Sequence, residues 1–280
     1  MQILLATAAI AALGAVIPAS PHVVQGEQGV GSPPAPAWTS TMQEGYSWVG
    51  PGSTIVGTSC HLSPVFKDKE TSDFIYYLGP SCLKKSDGNS ANKGDRFPVE
   101  TLRSYTESGW DLEIVKKFEG DVAHLSQGWG KLVPSNKPGQ TRAQVLQSGY
   151  IADPDGKKVW PITGTKDPSV GLKVVRGWKG KWYEGSVDKV NNLGEGPMDL
   201  TGTFSFARES PGYLNHGEAV MEGNSLVGVG VGQVRDKYGL AMKVESIGLG
   251  FEPPNGISLV LGKEDYLAAE GIVPDRPMGE

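Results

Sequence analysis

Two carboxylates on one short stretch are the first residues whose types and spacing could do chemistry. In WDLEIV, Asp111 and Glu113 stand two positions apart, so an extended strand would place both on one face, about 7 Å apart along the backbone. Paired carboxylates serve as acid and nucleophile or base in glycoside hydrolysis. Acids also alternate along the wet face of ordinary strands, so Asp111 and Glu113 are catalytic candidates on spacing alone.

Signatures of known catalytic and cofactor sites are absent from the sequence. It contains no G-x-S-x-G, H-E-x-x-H, C-x-x-C or G-x-x-x-x-G-K-[ST] motif. The histidines His22, His61, His124 and His216 stand singly, without metal-ligand spacing. We therefore predict no metal and no cofactor, and the sequence favours a binding protein over an enzyme.

An aromatic hairpin supplies a second candidate site. RGWKGKWYEG, residues 176–185, predicts two strands that turn at the central Lys-Gly. Trp178 and Tyr183 would then share a face with Arg176, and Trp182 would point to the opposite face. Such rings can stack on a sugar or an aromatic ligand, or pack in a core. The pattern leaves open which face is outward, and we predict Trp178, Trp182 and Tyr183 as ligand-binding residues.

Valine and glycine alternate in SLVGVGVGQV, residues 225–234. A dinucleotide-binding loop would need a third glycine at a fixed offset and a following helix, and both are missing here. As a strand, the segment places its valines on one face and Gly228, Gly230 and Gly232 on the other. Each glycine costs a strand about 0.5–1 kcal/mol. The bare face would accommodate side chains of a facing sheet, a tight barrel bend or a flat ligand, so these glycines join the binding candidates.

Composition predicts a β-rich class of protein. Gly at 39 and Pro at 20 of 280 residues suit many tight turns between short strands. The predicted fold is mainly β, an antiparallel β-barrel or two-sheet sandwich with two or three short helices. Those helices are expected at 97–109, 141–149 and 263–270 from Pro, capping-box and Gly signals.

The N-terminal residues and the cysteines indicate an extracellular protein. Residues 1–20 carry an apolar run typical of a secretory signal peptide. Residues 21–45 are predicted to be a flexible Pro/Gly-rich lead segment, and 46–280 a single β-rich domain. Cys60 and Cys82 are expected to form a disulfide in an oxidising compartment.

These patterns indicate a broad class of function and no particular ligand or reaction. The formal net charge of −5 gives no footprint for nucleic acid, and no membrane association is expected after signal cleavage. The leading hypothesis is a secreted binding protein for a glycan, a small apolar or aromatic molecule, or a host or cell-wall partner. The alternatives are a secreted glycan hydrolase or lyase, a small-molecule isomerase or cyclase in a β-barrel, and a structural interaction protein. The oligomeric state stays open.

Overall fold

The structure of the chain is a computed structural model. It describes residues 40–41, 47–58, 60–102, 106–118, 126–137, 143–146, 149–152, 158–178, 181–190, 200–206, 216–230, 234–235, 242–248 and 256–262. The predicted signal peptide 1–20, the predicted helix 263–270 and Gly232 lie outside the described residues. Of the predicted lead segment 21–45, only Ser40–Thr41 is described, and it forms an extended strand.

Strands dominate the described residues, as predicted. The strands in chain order are β1 (Ser40–Thr41), β2 (Trp48–Val49), β3 (Thr54–Ile55), β4 (Cys60–His61), β5 (Val65–Asp68), β6 (Phe74–Leu78), β7 (Arg96–Glu100), β8 (Glu107–Phe118), β9 (Gln127–Pro134), β10 (Gln144–Val145), β11 (Tyr150–Ala152), β12 (Lys158–Pro161), β13 (Gly164–Thr165), β14 (Lys173–Trp178), β15 (Lys181–Lys189), β16 (Leu200–Phe206), β17 (Ala219–Glu222), β18 (Ser225–Gly230), β19 (Val234–Arg235), β20 (Met242–Gly248) and β21 (Ile257–Leu259). A four-residue 3₁₀ helix spans Pro80–Leu83. No helix within the described ranges has the length and apolar character that crossing a bilayer would require.

The first large sheet has the strand order β21-β5-β6-β9-β8-β7-β3-β4 and is antiparallel throughout. Its longest strand, β8, shows the predicted period of two, because Leu112 and Ile114 are buried while Glu113 between them is half-buried. This strand pairs with β7 on one side and β9 on the other, which places Arg96 directly opposite Glu113.

The second large sheet closes into a barrel. Its order is β13-β18-β17-β14-β15-β16-β20-β19, and β18 also pairs with β20. Six strands therefore form a ring, which removes their open edges. Four valines from four different ring strands cluster on the inner side of this barrel: Val174, Val187, Val220 and Val227. Of the two predicted architectures, the antiparallel barrel is confirmed for this sheet.

A shared hydrophobic cluster packs the first sheet against the outside of the barrel. Trp129 of the first sheet meets Phe66 and Tyr77 edge-on, with ring centroids 5.0 and 5.6 Å apart. Met221 and Leu226 of the barrel belong to the same buried cluster. Each fully buried side chain of this kind contributes roughly 1.5–3 kcal/mol, so this cluster contributes strongly to the stability of the arrangement.

The predicted disulfide between Cys60 and Cys82 is present. It links β4 to the 3₁₀ helix, with a Cα–Cα distance of 5.7 Å, and both cysteines are buried. Closing a loop of 22 residues contributes about 3 kcal/mol in the chain-entropy model.

Two predicted helices are wrong. Residues 96–100 form β7, where Phe97 and Val99 point into the core at period two. In the 141–149 stretch, Gln144–Val145 forms β10 and pairs with β2. The backbone N–H of Gln144 donates to the Ser47 carbonyl. In both cases contacts with a distant strand outweighed local helix signals, which are weak beside tertiary packing.

Candidate functional site

A cleft opens on the surface beside β7. Its volume is about 350 Å³, within the range of small-ligand sites. Three separate stretches form it: the turn after β3, the loop after the 3₁₀ helix, and the start of β7. The lining residues are Val56, Gly57, Lys85, Ser86, Asp95, Arg96, Phe97 and Pro98. The cleft therefore has an apolar side and a charged side.

Hydrogen bonds within the loop hold the charged side of the cleft in place. The Asp87 carboxylate accepts from the Asn89 backbone N–H at 2.9 Å and from the Asn89 side-chain amide at 2.8 Å. Asp95 accepts from the Asn92 N–H at 2.7 Å. These bonds lower the pKa of Asp87 and, together with Lys85, that of Asp95. Both aspartates are therefore ionised at neutral pH.

Two ion pairs orient the cations of the cleft. The Lys85 ammonium lies 2.9 Å from Asp95 Oδ2. Arg96 donates through Nε and Nη2 to Glu113 Oε2, at 2.8 and 2.6 Å. The sequence patterns described above did not identify any residue of 84–96 as part of a site. The available signal was the run of basic residues in an otherwise acidic chain.

The two predicted catalytic acids lie on β8 in different surroundings. Glu113 is neutralised by Arg96, as described above. Asp111 is 8% exposed, and its cross-strand neighbours are Pro98 and Val133. Its Oδ1 atom has no hydrogen-bond partner in the described part of the chain. The pair thus lacks a common environment, and a catalytic role for either acid stays a prediction.

The aromatic hairpin forms in the predicted register, with Trp178 opposite Lys181. Trp182 faces the first sheet and meets Trp160 edge-on, with centroids 4.8 Å apart. Tyr183 lies opposite Arg176, whose guanidinium carbon is 5.9 Å from the ring centroid. The hairpin therefore directs Trp182 and Tyr183 to opposite sides, and ligand binding by any of these aromatics stays a prediction.

The glycine-rich strand is β18, and a bulge interrupts its alternation. Gly228 pairs with Val220 and Leu226 pairs with Met221, so the register shift leaves Val227 between them as the extra residue of a bulge. Val227 therefore packs inside the barrel, whereas Val229 packs in the cluster shared with the first sheet, so the prediction of one valine face is wrong at Val227. Gly228 and Gly230 lie on the inner side, which fits the glycine demand of a tight barrel bend. Ligand contact at either stays a prediction.

A buried ion pair lies inside the barrel. Arg176 Nη1 is 3.2 Å from Glu218 Oε2, and the two side chains are 1% and 11% exposed. Buried charges are tolerated only when they are paired. In this pair the Glu218 carboxylate supplies an opposite charge beside the buried guanidinium of Arg176.

A short segment before β17 ties the barrel to the first sheet. His216 bridges to Cys60, and its carbonyl accepts a hydrogen bond from the His61 N–H at 2.8 Å. Gly217 then donates to the Gly230 carbonyl of the barrel at 2.7 Å. Gly217 has a φ of +89°, and a Cβ there would collide with the His61 carbonyl. Only glycine fits this junction.

The His61 ring has a defined tautomer. Its Nδ1 lies 2.9 Å from the Gly52 carbonyl oxygen, and a carbonyl only accepts, so Nδ1 carries the proton and Nε2 the lone pair. Burial lowers the pKa of His61, more than the Gly52 carbonyl raises it. The neutral ring at pH 7 is able to take up a proton. Within the described ranges, no three His, Cys, Asp or Glu side chains come together as a metal site would require.

Comparison with known proteins gives limited likeness. No protein-family model matches the chain. Over 116 residues it is 28% identical to the lactoylglutathione lyase-like protein terB of Aspergillus terreus, a match that covers 39% of this chain and 58% of that protein. The chain thus spans little more than half the length of that curated relative.

Several solved structures align with much of this chain at low identity. Thermobifida fusca protease A is 16% identical with a TM-score of 0.43, covering 78% of this chain and 97% of that one. Nocardiopsis protease is 10% identical with a TM-score of 0.44, covering 74% and 91%. Cellulomonas bogoriensis chymotrypsin is 14% identical with a TM-score of 0.40, covering 80% and 96%. At these values none of the three assigns a function to this chain.

Proposed function

We propose that the chain is a secreted β-barrel binding protein that holds a glycan in the cleft beside β7. The observation that carries the proposal is the cleft itself, a volume of about 350 Å³ with one apolar and one charged side. Sites for small polar ligands combine such an apolar surface with a few convergent polar groups.

The chemistry of the lining suits a sugar. Lys85 and Arg96 supply N–H donors, Asp95 supplies carboxylate acceptors, and Ser86 can do either. Val56 and Pro98 line the apolar side of the same cleft, and an apolar surface of this kind can pack against the C–H face of a sugar. Hydrogen bonds to charged groups are the stronger kind, about 1.5–3 kcal/mol each.

Secretion is the second part of the proposal. The Cys60–Cys82 disulfide is of the kind that persists in oxidising compartments. The apolar run within residues 3–17 of the sequence is typical of a signal peptide. N-terminal sequencing of the protein from culture medium tests this part, and a mature chain found only inside cells would contradict it.

A glycan microarray followed by calorimetry tests the binding site. We expect Asp95→Asn to weaken the best array ligand by about tenfold or more, because it removes the charged acceptor. Asp87→Asn is the matched control, since the Asp87 carboxylate also accepts from a backbone N–H of the same loop but does not line the cleft. Equal loss in both variants, or no ligand on the array, would refute the proposal.

An enzyme is a second candidate function, and His61 is the observation that favours it. Its Nδ1 donates to the Gly52 carbonyl and its pKa is lowered, so the neutral ring carries its lone pair on Nε2. A general base for proton transfer needs such an oriented, neutral imidazole. The name of the A. terreus relative supplies a compound to try. Loss of lactoylglutathione, followed by liquid chromatography, should then occur with the wild type and fall at least tenfold in His61→Asn. No turnover by the wild type would remove this candidate.

A further inference from the structure

Positive charge collects around the cleft, although the chain as a whole is acidic. The formal net charge of the 280 residues is −5. The loop that forms the charged side, KKSDGNSANKGDR at 84–96, instead carries four basic and two acidic side chains. A local excess of one sign in a cleft attracts ligands of the opposite sign.

The two acids of this loop are already engaged by the protein. Asp87 accepts two hydrogen bonds from Asn89. Asp95 Oδ2 accepts from the Asn92 N–H and from Lys85. They therefore shape the loop, and Asp95 Oδ1, which makes neither of these contacts, remains as an acceptor for the glycan, so the loop has more donors than acceptors.

The basic side chains keep donors beyond those pairs. Lys85 has three N–H donors, and Arg96 has five in a planar fork. Arg96 uses Nε and Nη2 on Glu113, and Nη1 has no partner in the part of the chain that the structure describes. The Glu113 pair also fixes the plane of the guanidinium, so its remaining edge is oriented in advance.

We propose that the glycan bound in the cleft is an acidic one, with a sugar carboxylate held by Arg96 and Lys85. This inference rests on the proposed function, because it names the ligand class of the same cleft. A carboxylate is the geometric match for a guanidinium edge. The Val56 and Pro98 side of the cleft would take the less polar face of the same sugar.

Calorimetry with trigalacturonate and with its methyl ester tests the charge directly. The two probes share the same rings and differ only in the carboxylates. We expect the acid to bind the wild type at least tenfold more tightly than the ester. In Arg96→Gln this preference should fall to threefold or less.

The matched control is Glu113→Gln, which breaks the same ion pair and leaves the cation in place. It should keep or increase the preference for the acid, whereas a purely structural role of the pair predicts equal loss in both variants. Thermal unfolding of each variant checks that it folds. If Arg96→Gln does not fold, Lys85→Gln gives a second test of the same preference.

The outcomes separate this inference from the proposed function. Equal binding of acid and ester, both weakened by Asp95→Asn, would overturn the acidic ligand and keep the glycan site. Displacement of trigalacturonate by millimolar acetate would also overturn it, because any carboxylate would then suffice. Binding of no glycan at all, on the array or in calorimetry, would overturn both.

Discussion

Neutralising Glu218 is expected to destabilise the protein by about 3 kcal/mol. Glu218→Gln removes the counter-charge of Arg176, which is 1% exposed and lies 3.2 Å away. Breaking a buried pair from one side costs about 3–5 kcal/mol when the remaining buried charge is left uncompensated. The lower end applies here because glutamine keeps a carbonyl oxygen that accepts from the guanidinium. For a chain of this size the melting temperature should fall by roughly 6–12 °C.

Urea unfolding followed by tryptophan fluorescence measures the change as a free energy of unfolding. The matched control is Glu222→Gln, which neutralises a carboxylate in the same barrel. Its pair with Lys166 at 2.6 Å has side chains that are 43% and 24% exposed, so its loss should cost less than about 1 kcal/mol. Adding Arg176→Met to Glu218→Gln should recover at least half of the loss. Equal costs for the two glutamines, or no recovery in the double variant, would refute the burial argument.

Three further predictions concern the junction, the core and pH. Gly217→Ala should prevent stable folding, because a Cβ there would collide with the His61 carbonyl. The control is Gly88→Ala, where φ is also positive but no atom lies near the new Cβ, and it should cost only about 1 kcal/mol. Circular dichroism and melting temperature distinguish the two variants. Tyr77→Phe should leave the free energy of unfolding unchanged or raise it by up to about 1 kcal/mol, because the buried hydroxyl has no hydrogen-bond partner among the described residues. Urea unfolding measures the change, and a loss of more than about 2 kcal/mol would contradict the prediction. Because the pKa of His61 is lowered in the fold, the unfolded chain takes up a proton below about pH 6.5 that the folded chain resists. Stability should therefore fall as pH drops below that value, and less so in His61→Asn; urea unfolding at pH 7.5 and 5.5 measures the difference, and identical slopes would count against it.

The aromatic hairpin and the disulfide could be predicted from the sequence. The Lys-Gly turn set Trp178 opposite Lys181, as two-residue turns do. Cys60 and Cys82 were the only cysteines, so their pairing left no alternative partner within the chain.

The prediction of a helix at 97–109 was wrong because the contacts that decide this segment come from other parts of the chain. Pro98 and Gly109 resemble helix ends, but Phe97 and Val99 gain more by entering a core built from other strands. The bulge at Val227 was equally hidden, because it depends on the register that β17 imposes on β18.

The ligand cleft illustrates the same limit. Its charged loop was visible in the sequence, but its apolar side comes from the turn after β3 and from β7. No pattern within 84–96 indicates that these stretches meet.

By itself, the sequence determined the β class, the aromatic hairpin and the disulfide, because period-two alternation and short loops act locally. Only the tertiary structure decided that β18 meets β20, that His216 meets Cys60, and that Arg176 enters the barrel with Glu218. Such contacts join segments far apart in the chain, and their free energy comes from burying those segments together rather than from any local preference.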